Sequence, residues 1–141
     1  MEWLPALVRL LETPYADWGL ESPDIVLPVP LHPKRLKERG FNQSGLLAKE
    51  FSRMQGLPVS FDLLIRKNWT EPQTRLNRKE RLENVKGAFS LCDASAVRGR
   101  RVLLIDDVFT TGTTLSECAK TLKKAGASEV HVLTVTRALP D

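Results

Sequence analysis

One short stretch limits the fold of this chain more than any other. It is a continuous apolar run, residues 102–105 (Val-Leu-Leu-Ile), with Asp106 and Asp107 directly behind it. An unbroken apolar run of this length is typical of a strand that is buried on both faces of a parallel sheet. The chain then enters a segment with helical apolar periodicity, 113–125, and a second apolar run, 130–136. The order strand, helix, strand predicts a parallel βαβ unit.

The first half of the chain shows a similar order. Residues 25–30 form a short apolar run that its prolines end, and Asn42 is placed to cap a helix that Gly56 ends. The apolar face of that helix is predicted to consist of Leu46, Leu47, Phe51 and Met54. Residues 61–66 and 87–91 are predicted as further short strands. Together these elements predict the α/β fold class, with a mostly parallel open sheet flanked by helices.

Length and composition indicate one domain over residues 1–141. The chain is 42% hydrophobic and 27% charged, as in ordinary soluble globular proteins. No apolar run approaches the roughly 18 residues that a membrane helix needs, and residues 1–3 lack the basic start of a signal peptide. Cys92 and Cys118 are too few and too far apart for a zinc ribbon or a disulfide scaffold. We therefore expect a cytoplasmic protein with no membrane contact and no zinc.

Positive charge is concentrated in the middle of the chain. The net charge of the whole sequence is +4, but residues 32–101 alone carry sixteen basic and seven acidic side chains. This excess favours an anionic partner, either a phosphorylated small molecule or a nucleic acid. The nucleic acid is favoured by Phe41, Trp69 and Phe89 within the basic segment, because bases stack on aromatic rings.

The residues behind the apolar run predict a binding site. Ligands of open α/β sheets bind at the carboxyl ends of the strands, where Asp106 and Asp107 are expected. Two adjacent carboxylates repel each other, so they favour hydroxyl donors or a divalent cation as partners. Gly112 allows a close backbone approach at a helix N-terminus, which favours a phosphate. Hydroxyl donors are supplied by Thr110, Thr111, Thr113 and Thr114. A sugar phosphate meets both requirements.

Other interpretations of these residues are weaker. The acidic pair alone is typical of a solvated turn and the threonine run of a helix cap, but their joint occurrence behind a buried strand disfavours both. A receiver domain places its acidic pair after the first strand, whereas here the pair follows a late one. A Walker phosphate loop is excluded because no Gly-Lys-Ser/Thr follows.

Residues 102–114 (VLLIDDVFTTGTT) resemble the fingerprint with which type I phosphoribosyltransferases bind 5-phosphoribosyl 1-diphosphate (PRPP). Residues 28–32 (PVPLH) and 39–43 (RGFNQ) are similar to segments of the ComF/GntX family, which is linked to bacterial DNA uptake. The same family spacing is seen in Gln73, Leu76, Arg81, Asn84, Gly87 and Phe89. The resemblance runs from about Ile25 to the C-terminus.

This resemblance implies a role for each part of the site. Asp106 and Asp107 would bind the ribose hydroxyls, directly or around Mg²⁺, and residues 110–114 would hold the 5′-phosphate. The pyrophosphate-binding segment would comprise Leu31, His32, Lys34, Arg35, Lys37 and Arg39. Residues 67–86 would form a flexible loop over the site, with Arg75, Arg78, Lys79 and Arg81 as candidates to meet the pyrophosphate. Arg81, by its family spacing, joins the two aspartates as a catalytic candidate.

Two departures from the family pattern concern the ends of the chain. ComF-type proteins commonly carry an N-terminal four-cysteine zinc module, which this sequence lacks. The hood that binds the acceptor in type I enzymes could be built only from residues 1–24 and the C-terminal tail. We therefore expect a PRPP-binding core over residues 25–141 with a reduced hood, and a homodimer is compatible with so thin a cover.

Three hypotheses about function follow. The first is a Mg²⁺-dependent phosphoribosyltransferase that transfers phosphoribose from PRPP to a small nitrogen acceptor and releases pyrophosphate, with a link to DNA uptake or nucleotide salvage. The second is a regulatory protein that binds PRPP or a nucleotide without turnover. The third is a nucleic-acid-binding competence accessory.

Overall fold

A computed structural model describes residues 22–31, 37, 40, 42–67, 87–109 and 112–137. Within these ranges the chain forms five strands and two α-helices, with one 3-10 turn at Ala94–Ala96. The strands are β1 (Ile25–Pro28), β2 (Leu64–Arg66), β3 (Phe89–Leu91), β4 (Arg101–Phe109) and β5 (Glu129–Arg137). The helices are α1 (Gln43–Gln55), which follows β1, and α2 (Thr113–Lys124), which follows β4.

The main sheet is parallel, with the strand order β1-β4-β5. The register of β1 against β4 runs from Ile25 opposite Val102 to Pro28 opposite Ile105. On its other side β4 pairs with β5 along its whole length. The predicted βαβ unit and the parallel sheet flanked by helices are thus confirmed.

Alternation along β4 divides the core into two layers, because successive side chains of a strand point to opposite faces. Leu103 and Ile105 pack on the α1 side and Val102 and Leu104 on the α2 side. The core residues of α1 are Leu47, Ala48 and Phe51, and those of α2 are Leu115, Cys118 and Leu122. Burial of one such Leu or Ile stabilises the fold by roughly 1.5–3 kcal/mol. Burial also raises the pKa of the Cys118 thiol, as expected for a core cysteine.

The ends of α1 agree with the sequence prediction, but one predicted core residue does not. Asn42 caps the helix with its side chain, and Gly56 ends it in the left-handed conformation with φ 69°. Met54 was assigned to the apolar face, and this assignment is wrong because its side chain is 40% exposed. Phe51 is the last residue of α1 in the core on this side of the sheet. Met54 follows in the last turn of the helix and lies outside that core.

The second strand also differs from its prediction. Residues 61–66 were expected to continue the parallel sheet, but only Leu64–Arg66 is a strand, and it pairs antiparallel with Phe89–Leu91 in a separate two-stranded sheet. The chain instead reaches β1 earlier, at Val59, which forms a parallel bridge with Val26. The backbone N–H of Val26 donates to the Pro58 carbonyl at 2.9 Å.

Phe89 lies in this small sheet and is 5% exposed, so it is a core residue. The guanidinium of Arg66 lies over its ring, 5.5 Å from the centroid. A ring that is buried and covered in this way does not offer a face on which a base can stack. One of the three aromatic residues that favoured nucleic-acid binding is therefore removed, and Phe41 and Trp69 lie outside the described residues.

Two predicted regions also lie mostly outside the described residues, namely the N-terminal cover at 1–24 and the loop at 67–86.

Neither α1 nor α2, the two helices of the described ranges, has the length and apolar character needed to cross a membrane.

Candidate functional site

The candidate site lies at the carboxyl edge of the main sheet, where β4 extends beyond the last residue of β1. The last pair of β1 with β4 is Pro28 with Ile105, so Asp106 is the first residue of β4 beyond that pairing. The backbone N–H of Val29 still donates to the Ile105 carbonyl at 3.0 Å. Helix α1 follows β1 and helix α2 follows β4, so both begin on this edge. This is where ligands bind in open parallel sheets.

Asp106 has two hydrogen-bond donors on the same carboxyl oxygen. The Ser44 hydroxyl of α1 donates to Asp106 Oδ1 at 2.8 Å, and the Asp107 backbone N–H donates to it at 2.9 Å. Asp106 and Asp107 are both partly buried. The two carboxyl groups predicted from the sequence are thus adjacent at the sheet edge, and one of them is held by a residue from a different element.

Burial raises the pKa of Asp106 to about 7, and the hydrogen bond from Ser44 acts in the opposite direction. The neighbouring Asp107 carboxyl raises the pKa of Asp106 further, both by a side-chain hydrogen bond and by its charge. A hydroxyl donor or a cation beside the acidic pair would stabilise its ionised form and so lower the pKa of Asp106 again.

Ser44 is the residue that the sequence analysis missed. It is 4% exposed and lies in the first turn of α1, next to the predicted cap Asn42. The Asn42 side chain accepts a hydrogen bond from the Ser44 backbone N–H at 3.1 Å and donates one to the Val29 carbonyl at 3.2 Å. A hydroxyl residue at the start of the helix that follows the first strand could have indicated this contact. The carboxyl edge of a parallel sheet brings such a residue near the ends of the other strands.

Helix α2 begins with Gly112, whose φ is 81° and which has no side chain to cap the helix. This left-handed conformation favours glycine. The first turn carries no acidic residue, and Lys123 and Lys124 in the last turn match the helix dipole. Thr113 and Thr114 are the first two residues of the helix and are partly buried. Such a helix start attracts an anion, phosphate above all.

Several predicted site residues lie outside the described ranges. Two others are described: Leu31, three residues after the end of β1, is partly buried, and Lys37 is exposed. The residues whose placement stays a prediction are His32, Lys34, Arg35, Arg39, Arg75, Arg78, Lys79, Arg81, Thr110 and Thr111.

A magnesium ion fits the chemistry of the acidic pair. Mg²⁺ binds hard oxygen ligands and is commonly held by one or two carboxylates together with the phosphates of a substrate. In the part of the chain that the structure describes, no group of three or more His, Cys, Asp or Glu residues converges. The donor set of Asp106 and Asp107 therefore suits a cation that arrives with a phosphorylated ligand better than an ion caged by the protein alone.

The sequence of this chain is similar to a protein family and to several known proteins. Residues 36–139 match the family model described as phosphoribosyl transferase domain. The chain is 41% identical over 120 residues to competence protein F of Haemophilus influenzae, covering 84% of this chain and 52% of that protein. It is 39% identical over 121 residues to DNA utilization protein YhgH of Escherichia coli K12, covering 86% and 52%. Competence protein ComFC of Bacillus subtilis is 39% identical over 114 residues, covering 80% and 44%. The chain thus spans about half the length of these curated relatives.

Solved structures show the same fold. Glutamine PRPP amidotransferase from B. subtilis superposes with a TM-score of 0.59 at 25% identity, over 92% of this chain and 26% of that one. The purine phosphoribosyltransferase from Pyrococcus horikoshii superposes with a TM-score of 0.58 at 18% identity, over 97% and 77%. The fold is therefore that of the type I phosphoribosyltransferases.

Proposed function

This chain is a ComF-like member of the phosphoribosyl transferase family, and we propose that it binds PRPP and transfers its phosphoribosyl group to a nitrogen acceptor. The observation that carries the proposal is the acidic pair in the part of β4 that extends beyond β1. Asp106 and Asp107 lie beyond the last β1 residue, and Gly112 opens a helix a few residues later. A ligand that brings hydroxyls to the first group and a phosphate to the second suits this spacing.

The acidic pair would bind the ribose. Carboxylates accept hydrogen bonds from vicinal hydroxyls, and charged acceptors make the stronger bonds. Asp106 is already held at Oδ1 by Ser44 and by the Asp107 backbone N–H, so its orientation is set before ligand arrives. Preorganisation of this kind lowers the entropy cost of binding.

The start of α2 would bind the 5′-phosphate. Backbone N–H groups at a helix N-terminus and the positive end of its dipole both stabilise an anion. Gly112 permits a close approach because it has no Cβ, and its positive φ turns the chain into the helix. The hydroxyls of Thr110, Thr111, Thr113 and Thr114 are the proposed additional donors.

Asp106 and Asp107 would also hold a Mg²⁺ ion, directly or through the ribose hydroxyls, and this ion would neutralise charge on the pyrophosphate. In the transfer, the bond from ribose C1 to pyrophosphate breaks with its electron pair leaving on pyrophosphate, a bond from C1 to the acceptor nitrogen forms, and the nitrogen loses a proton to solvent. The ring gains positive character as pyrophosphate leaves. The ionised acidic pair would stabilise that character, because fixed charges act strongly in a partly buried site.

The names of the relatives support a link to DNA uptake. Competence protein F, ComFC and YhgH are named for competence or DNA utilization, and each matches four fifths or more of this chain. We propose that the transferase site serves such a process in this protein as well, with a small nitrogen compound as the acceptor.

The test measures pyrophosphate release from PRPP and Mg²⁺ in the presence of a panel of nucleobases and small amines. Release that depends on one acceptor is the expected result. Calorimetric binding of PRPP without release across the panel would reduce the proposal to that of a PRPP-binding regulator. Absence of PRPP binding would overturn it.

A further inference from the structure

A continuous set of hydrogen bonds joins the end of β1, the start of α1 and the acidic pair. The Asn42 side chain donates to the Val29 carbonyl at 3.2 Å and accepts from the Ser44 backbone N–H at 3.1 Å. The Ser44 hydroxyl then donates to Asp106 Oδ1 at 2.8 Å, which also accepts from Asp107 N–H at 2.9 Å. One helix turn therefore fixes both the neighbouring strand end and a side chain of the site.

A second buried serine in the same helix provides a contrast. Ser52 is 2% exposed, and its hydroxyl has no hydrogen-bond partner among the described residues. Ser44 is similarly buried at 4% exposure, but its hydroxyl reaches a carboxyl group that lies 62 positions away in the sequence. The fold thus tolerates a buried serine in α1 without a partner, so the contact made by Ser44 is not simply what any buried hydroxyl must find.

The geometry of the contact restricts Asp106 in a particular way. The terminal torsion of an aspartate is broad and roughly two-fold, so a carboxyl group with one donor still rotates over a wide range. Two donors, the Ser44 hydroxyl of α1 and the Asp107 backbone N–H, both on Oδ1, restrict this rotation.

We propose that Ser44 is a positioning residue for the ligand site: its hydroxyl holds Asp106 in the orientation that a ribose hydroxyl requires. This inference rests on the proposed function, in which PRPP is the ligand. Ser44 itself does not touch the ligand, and it acts through Asp106 alone.

The first part of the test needs no ligand. A double-mutant cycle with Ser44→Ala and Asp106→Ala measures the coupling of the two side chains in the folding equilibrium, because alanine removes the oxygen that accepts from Ser44, whereas asparagine would keep one. We expect the combined effect to differ from the product of the single effects by at least about 5-fold, as for residues in direct contact. The matched cycle with Ser52→Ala and Asp106→Ala is expected to be additive. Additivity in the Ser44 cycle would overturn the inference.

The second part measures PRPP affinity by calorimetry with Mg²⁺. Loss of one hydrogen bond to a charged group is expected to weaken binding about 10-fold in Ser44→Ala. Ser52→Ala, an equal truncation in the same helix, is expected to bind like the wild-type chain. Equal affinity of Ser44→Ala and wild type, or equal losses in both serine variants, would overturn the inference and leave the proposed function intact. Failure of the wild-type chain to bind PRPP would overturn both.

Discussion

Helices α1 and α2 begin on the same edge of the sheet, but the two starts are built differently. Helix α1 is capped by the side chain of Asn42, and Ser44 in its first turn is committed to Asp106. Helix α2 is preceded by Gly112, which has no side chain to serve as a cap. The first start uses its polar groups to hold the protein together. The second is suited to bind the polar groups of a ligand instead. The acidic pair of β4 lies at the same edge of the sheet.

The difference shows how one sheet edge supplies two kinds of binding group. The capped start of α1 supplies rigidity, because the Asn42 side chain accepts from one of the otherwise unpaired N–H groups of the first turn, that of Ser44. A start without a capping side chain supplies an anion site. Both are needed for a ligand that carries hydroxyls at one end and a phosphate at the other.

The largest expected effect is that of replacing Asp106, to which Ser44 of α1 donates a hydrogen bond. Asp106→Asn removes a carboxyl group whose pKa in the folded state, about 7, is above its ordinary value of 3.8. A raised folded pKa contributes stability that is fully present below pH 3.8 and is lost as pH rises through 7. The variant should therefore gain free energy of unfolding relative to wild type, on the order of 4 kcal/mol at pH 8 and little at pH 4.

Urea unfolding of both chains between pH 4 and pH 8, without ligand, checks this prediction. Comparison of the two chains isolates the titration of Asp106 from that of the other carboxyl groups. A stability difference that stays constant over this range would contradict the assignment, and so would a variant less stable than wild type at pH 8.

The next effect tests the start of α2. Gly112→Ala places a Cβ on a residue with φ 81°, which costs about 1–2 kcal/mol and lowers Tm by roughly 3–7 °C. The same Cβ should hinder a phosphate, so we expect affinity for ribose 5-phosphate to fall about 10-fold. Gly56→Ala is the matched control, since Gly56 has φ 69° at the other end of α1 with no atom within 4 Å of the added Cβ.

Thermal unfolding and calorimetry of the two glycine variants separate strain from ligand contact. Both should lose thermal stability, and only Gly112→Ala should lose affinity. If the two variants bound ribose 5-phosphate equally well, the start of α2 would not be the phosphate site.

The smallest effect tests the start of α1. Asn42→Ala removes a helix cap and the bond to the Val29 carbonyl, which should lower the free energy of unfolding by about 1 kcal/mol and Tm by roughly 3 °C. Asn42→Ser keeps a capping oxygen but does not reach Val29 in the same way, so it should recover part of the loss. Differential scanning calorimetry measures both, and an unchanged Tm in Asn42→Ala would show that α1 does not depend on this cap.

The sequence predicted the parts of the fold that are set by local pattern. The apolar run at 102–105, the periodicity of 113–125 and the cap and stop residues of α1 gave elements whose observed bounds are β4 (Arg101–Phe109), α2 (Thr113–Lys124) and α1 (Gln43–Gln55). Each of these signals acts within a few residues of chain. The acidic pair was predicted for the same reason, since it directly follows the apolar run 102–105, although the strand itself continues past the pair to Phe109.

What the sequence did not predict depends on contacts between distant residues. β2 and β3 lie in the segments 61–66 and 87–91, and neither segment alone specifies that the two pair with each other. The antiparallel direction of this pairing was therefore not predicted. The bond from Ser44 to Asp106 spans 62 positions and exists only because the sheet brings the start of α1 to the end of β4. Strand patterns indicate which residues are buried, but they do not say which polar groups meet at a shared edge.

The most direct test of the central claim is calorimetry of PRPP with Mg²⁺, on the wild-type chain and on the Asp106→Asn/Asp107→Asn double variant. We predict binding by the wild-type chain and an affinity at least about 100-fold lower in the double variant, since two charged acceptors for the ribose are removed. Equal affinity in the two chains, or no binding by the wild-type chain, would contradict the assignment of the acidic pair as the PRPP site.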